Sequence, residues 1–181
     1  MKIKEYKLIS KEENGTFPQL ECIKEHDYSL KDDFLYYNCD NYEFEYLFFG
    51  EILKLQNDFT ENCYIMSYDG DNNPIGVFKI SSGGKDSNMI YFDNIFTYLL
   101  LSGSKSFITI HNHPNNNPKK SIEDYSIDDS IKTLSNMLNI DYKDGLVITK
   151  NIIKKLYQEI NEFENTYLKD IETIVYDDLI K

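Results

Sequence analysis

Arginine, alanine and tryptophan do not occur in this chain of 181 residues. All 19 basic residues are lysines, set against 31 acidic ones for a net charge of −12. Without guanidinium groups the protein has no bidentate fork for phosphate or guanine, and without a basic surplus it has no electrostatic footprint for a duplex. Nucleic acid is therefore not the expected partner. Cysteine is scarce and odd in number. Cys22, Cys39 and Cys63 form no Cys-x-x-Cys pair, which excludes a disulfide scaffold and a thiolate zinc cluster and predicts three reduced, mostly buried thiols. No apolar run approaches the roughly 18–20 residues of a membrane helix. The longest candidates, such as Ile95–Leu101, read as core segments, and the opening Met1-Lys-Ile-Lys-Glu-Tyr has no apolar stretch of signal-peptide type. A cytoplasmic protein with no membrane contact is expected. With 41% hydrophobic and 28% charged residues, the composition is that of a globular domain.

Periodicity predicts the elements. Lys2–Ser10 alternates as an edge strand, and residues 11–39 read as loops with one short strand at Gln19–Ile23. Phe44, Leu47, Phe48, Ile52 and Leu55 recur at helical spacing, predicting a helix over 41–56 capped by Asp40 or Asn41 with Glu43. A hairpin follows: strands Cys63–Tyr68 and Ile75–Ser81 joined by an Asp-Gly-Asp-Asn-Asn-Pro turn. The Ser82-Gly83-Gly84-Lys85 loop matches no phosphate-loop spacing. Met89–Tyr91 is a candidate short strand, Asp93 a cap for a helix over Asn94–Leu101 that Gly103 ends, and Ser106–His111 a strand. Ser121 opens a helix with Ile127, Ile131, Leu134 and Leu138 on one face, and Leu146–Thr149 is a short strand. From Asn151 onward one helical pattern runs to the end. Thirty residues of helix would span about 45 Å, so this pattern breaks or packs on a partner. The domain division read here is 1–150 plus a helical extension over 151–181.

The chemistry-bearing string is His111-Asn-His113-Pro, followed by Ser121-Ile-Glu-Asp124. On a strand, residues i and i+2 share a face, so the two imidazoles project side by side. Asp124, in the first turn of the next helix, can return to that strand end. Two imidazoles and a carboxylate with one open position are the donor set of a catalytic zinc, which lowers the pKa of water to about 7. Ser121 is near enough in sequence to donate a hydrogen bond to an oxyanion, while the proton acceptor must come from elsewhere. Ser121-x-x-Asp124 is also a helix-start pattern related to the capping box. His26 lies apart and reads as an ordinary surface or packing histidine.

This string resembles the JAB/JAMM metallopeptidase motif, most closely its RadC-like branch, in which the stretch begins His-Asn-His-Pro-Ser-Gly. The resemblance runs from Glu61 to Ile148. Glu61-Asn-Cys-Tyr-Ile-Met-Ser-Tyr-Asp fits the family's glutamate strand, Ile75–Gly83 its hairpin partner, Ser106–Pro114 the histidine strand and Asp141–Ile148 the closing strand. It implies His111, His113 and Asp124 as ligands of one zinc per chain. It also implies Glu61 as general acid/base and Ser121 as oxyanion donor. Glu51 and Glu45 are the rivals of Glu61. Asn115-Asn116 stands where the family has Ser-Gly, Gly145 where a histidine is common, and Phe92-Asp93-Asn94 where Pro-Arg-Glu is usual. The helix-hairpin-helix region of full-length relatives is not visible, and the stretch beyond Lys150 lies outside the pattern.

The resemblance implies an α/β (α+β) domain: a mixed, largely antiparallel sheet with helices on both faces, of the cytidine-deaminase-like kind. The site would lie at the end of the histidine strand, with Asn115–Lys120 on its rim. A zinc-dependent peptide or isopeptide hydrolase follows, acting on a peptide or a ubiquitin-like protein. Iron or manganese are alternative metals. The other readings are a non-enzymatic JAB-fold interaction module of a bacterial mobile element or defence system, and a DNA-metabolism accessory. A deaminase zinc site itself is excluded, since no Pro-Cys-x-x-Cys exists. The C-terminal helix makes a homodimer an expectation.

Overall fold

The structure is a computed structural model and describes residues 2–11, 17–28, 42–83 and 90–162. Strands β1 (Lys2–Lys11), β2 (Phe17–Asp27), β3 (Asn62–Tyr68), β4 (Pro74–Ser82), β5 (Ser106–Asn112) and β6 (Asp141–Ile148) form one sheet in the order β2-β1-β4-β3-β5-β6. β1–β2, β3–β4 and β3–β5 pair antiparallel, whereas β1–β4 and β5–β6 pair parallel. The helices are α1 (Glu43–Leu47), α2 (Phe92–Ser102), α3 (Ile122–Met137) and a helix over 150–162, called α4. This is the mixed, largely antiparallel α/β arrangement expected.

β3 and β5 lie inside the sheet, and every residue of both is buried, as strands covered on two faces must be. Their alternation sorts the core into two layers. Tyr64, Met66, Ile108 and Ile110 face Phe48, Phe49, Ile153 and Leu156, while Ile65 and Phe107 face Ile95, Leu99 and Ile131 of α2 and α3. Helices therefore cover both faces.

Several local expectations need correction. β1 is not an edge strand: it pairs with β2 on one side and β4 on the other. The edge is β2, an eleven-residue strand where one short strand was expected; its side chains are almost all exposed, so no apolar alternation marks it. The helix expected over 41–56 is regular only at α1, then widens to a π turn (Phe48–Ile52) and ends in a 3₁₀ turn (Leu55–Asn57). Phe48 and Phe49, at the start of the widened turn, are both completely buried. Its N-cap is Tyr42, with no side-chain cap; Asp40 and Asn41 lie outside the described residues. Asp93 lies inside the first turn of α2, whose cap is the extended Tyr91, and residues 90–91 form no strand. Met89 and the helical pattern beyond residue 162 lie outside the described residues, as does Cys39. Cys63 is buried as expected, but Cys22 is exposed on β2.

Gly103 ends α2 at φ 70°, the left-handed conformation expected of it. Gly76 is needed for close approach: a Cβ there would stand 2.5 Å from the Lys4 carbonyl oxygen and 2.6 Å from the Tyr6 ring. Gly76→Ala is expected to push β1 off β4 at a cost of about 1–3 kcal/mol. Urea unfolding will read this as a lowered midpoint; an unchanged midpoint would mean that the β1–β4 seam yields freely.

Candidate metal centre

The site is assembled where β5 ends. Strand alternation turns His111 toward α3, and His113 stands beside it just past the strand, with the two Nε2 atoms 3.0 Å apart. The His113 Nδ1–H donates to the Asn117 carbonyl at 2.7 Å, an arrangement that leaves Nε2 as the lone pair. The Asn-rich loop that makes this contact is a run of side-chain-closed turns. Asn117 N–H donates to Asn115 Oδ1 at 2.9 Å, and Lys119 N–H to Asn117 Oδ1 at 3.2 Å. The loop orients His113 from behind, and its last residue, Lys120, reaches the cleft-lining Asp128 at 2.6 Å.

Asp124 arrives from the first turn of α3. Ser121 caps that helix in a reciprocal box: its Oγ accepts from the Asp124 amide at 3.1 Å, and its own amide donates to Asp124 Oδ2 at 2.7 Å. The Ser121 hydroxyl also donates to Oδ2 at 2.8 Å. The helix-start reading and the ligand reading of Ser-x-x-Asp thus describe one geometry. The box aims the carboxylate at the imidazoles, with His111 Nε2 3.4 Å from Oδ1 and His113 Nε2 3.5 Å from Oδ2.

Glu61 precedes β3. Cys63 stands directly opposite His111 in the β3–β5 ladder, so Glu61, two residues before it, falls on the same face. Among the described residues, Glu61, His111, His113 and Asp124 form a group whose ligand atoms all lie within 4.8 Å of one another. The rivals go elsewhere: Glu45 accepts a short hydrogen bond from Tyr68, and Glu51 accepts one from Tyr157 at 2.6 Å. His26 is a buried packing residue beside Glu5 and the edge of Phe48.

The donor set fits a small divalent cation. With metal–ligand distances near 2.0–2.1 Å, a tetrahedral site has edges of about 3.3 Å. The His–His and His–Asp separations of 3.0, 3.4 and 3.5 Å bracket that value. Burial holds the His111 imidazole below its ordinary pKa, against the pull of Asp124, and so favours the neutral ring a metal needs. Burial would raise the Asp124 carboxyl, but the Ser121 amide and hydroxyl, and then the two imidazoles, outweigh it and keep it low.

The group borders a cleft of about 330 Å³ whose wall includes Thr109, Ile127 and Asp128. Cys63 lines it too. Its thiol is pushed well up by burial and then by the charges of Glu61, Asp128 and Asp124, so it is a neutral thiol beside the site. Asp128 accepts from Tyr142 Oη at 2.5 Å and from Lys120 Nζ at 2.6 Å, and Thr109 Oγ1 lies 2.8 Å from that Tyr142 hydroxyl. The network occupies the space beside Gly145, where a Cβ would meet Asp128 Oδ1 at 2.3 Å. No histidine fits at 145 while it stands. Sequence reasoning missed Asp128 and Tyr142, since neither belongs to the string; their only signal was the glycine at 145.

Fold and site together define a mixed α/β domain with a His-His-carboxylate cluster at the end of a central strand. The chain belongs to the RadC-like JAB domain family, whose model matches residues 44–158. The match passes the end of β6 into α4, beyond the 61–148 span that the motifs mark out. The chain is 28% identical over 97 residues to a UPF0758 protein of Coprothermobacter proteolyticus, covering 54% of this chain and 41% of that protein. It is 27% identical over 106 residues to one of Clostridium acetobutylicum, covering 59% and 46%. Against one of Clostridium perfringens it is 30% identical over 91 residues, covering 50% and 40%. The chain thus spans less than half the length of these curated relatives. Among the described residues, no helix is long and apolar enough to cross a membrane.

Proposed function

We propose that this domain is a zinc-dependent hydrolase that cleaves a peptide or isopeptide bond, the latter at the tail of a ubiquitin-like protein. The observation that carries the reading is the convergence of Glu61, His111, His113 and Asp124 beside a cleft. His111, His113 and Asp124 would hold the ion, a donor set that suits zinc. When bound, zinc supplies Lewis acidity and lowers the pKa of a water to about 7. Glu61 accepts a proton from the attacking water and delivers it to the leaving amine. Ser121 turns its hydroxyl hydrogen away from Asp124 and donates it to the carbonyl oxygen as that atom gains charge. The Asn117 carbonyl and the capping box keep His113 and Asp124 in place while this happens.

The test is direct. Protein purified without chelators should carry about one zinc per chain by elemental analysis. The zinc form should cleave members of a random peptide library, or peptides acylated on the lysine ε-amine, and a chelator should stop it. A metal-free protein, or a zinc-replete one that cleaves neither class, would overturn the reading.

A further inference from the structure

We infer that Asn112, the residue between the two histidines, is a positioning residue that sets where Glu61 stands. The inference rests on the proposed role of Glu61 as proton carrier. Asn112 has zero exposure, and strand alternation turns its side chain to the opposite sheet face from His111. Its Oδ1 accepts from the backbone amide of Asn62 at 2.8 Å. Its Nδ2 donates to the carbonyls of Thr60 at 3.0 Å and Asp58 at 3.2 Å. The bonds to Thr60 and Asn62 grip the two residues that flank Glu61.

The location gives the contact its meaning. The backbone ladder between β3 and β5 ends at the pair Cys63–His111, so at Asn62 the chain has run past the register that would hold it to β5. The Asn112 side chain continues that pairing where backbone bonds stop. On the other side, the Glu61 carbonyl accepts from Gly83 N–H at 2.6 Å, and Asn62 Nδ2 donates to Asp58 Oδ2 at 2.7 Å, tightening the same turn. One strand thus carries both imidazoles on one face and, between them on the other face, the group that places the proton carrier. Through Asn112, the spacing between the two imidazoles and Glu61 is tied to the end of β5.

The experiment compares zinc-loaded wild type with Asn112→Ala and Asn112→Asp. Alanine removes all three bonds. Aspartate keeps the volume and the acceptor for Asn62 N–H but turns a carboxylate oxygen toward two carbonyls, and it serves should the alanine variant fail to fold. Three readouts are taken: zinc content, single-residue amide exchange by NMR, and kcat with KM on any substrate the wild type cleaves. Zinc is expected to stay at about one per chain in both variants, because no ligand is touched. The Asn62 amide should exchange at least about ten-fold faster in Asn112→Ala and keep more protection in Asn112→Asp. A misplacement of about 1 Å costs on the order of 10²-fold, so kcat should fall by that factor in Asn112→Ala while KM holds. In a Glu61→Gln background the same change should cost nothing further. Retained protection of Asn62, zinc lost along with Asn112, or an unchanged kcat would each overturn the inference. If the wild type cleaves nothing, the hydrolase reading fails by itself, and the exchange and zinc data still decide whether Asn112 holds the 58–62 turn.

Discussion

Glu61→Gln is expected to lower kcat by roughly 10²–10⁴-fold, the usual contribution of a general acid/base, with zinc content unchanged. The amide has the size of the carboxylate, so the turn before β3 and its bonds to Asn112 and Gly83 persist. What is lost is the ability to accept a proton. His111, His113 and Asp124 complete the three-ligand set proposed for the zinc without Glu61, which is why its substitution should spare the metal. Turnover and elemental analysis of the same preparation separate the two effects. Unchanged turnover would take Glu61 out of the mechanism. Zinc lost together with Glu61 would make it a ligand instead.

His113→Ala should abolish metal retention. Loss of an outer-shell partner already costs roughly 10–100-fold in metal affinity, and a direct ligand should cost more. The His113 ring is held by its Nδ1–H bond to Asn117, and its backbone amide donates to the Ile148 carbonyl at 3.3 Å, so the main chain should survive the change. The thermal consequence is measurable. Zinc at about 100 times its Kd stabilises the wild type by roughly 2.7 kcal/mol, a shift in melting temperature that the variant should not show. A variant that still binds zinc after dialysis, with the same thermal shift, would remove His113 from the ligand set.

The legibility of this chain follows its range of interaction. β3 and β5 were readable as short apolar runs bounded by turns, and α3 by its helical period. β2 was read only over Gln19–Ile23, because an edge strand exposed on both faces buries little that would mark its full extent, Phe17–Asp27. α1 has a true apolar stripe, yet the stripe alone does not report that the helix widens to a π turn over Phe48–Ile52. Within the site, His111, His113, Ser121 and Asp124 lie close along the chain, so spacing brought them forward together. Glu61 entered only through resemblance. Asn112 was overlooked in plain view, since its partners lie 50 or more residues earlier.

The mixed α/β class came from the family resemblance, whereas the donor types and their spacing on a strand end and a helix start were legible from the residues alone. Those depend on backbone period and capping chemistry, which operate over a few neighbouring residues. Only the folded chain shows that β1 is interior and that Glu61, not Glu45 or Glu51, stands beside the imidazoles. It alone built the Asp128–Tyr142–Lys120 network beside Gly145. Each of these depends on pairing between segments distant in the chain. That register is set by which faces the whole sheet can bury, and no local stretch contains it.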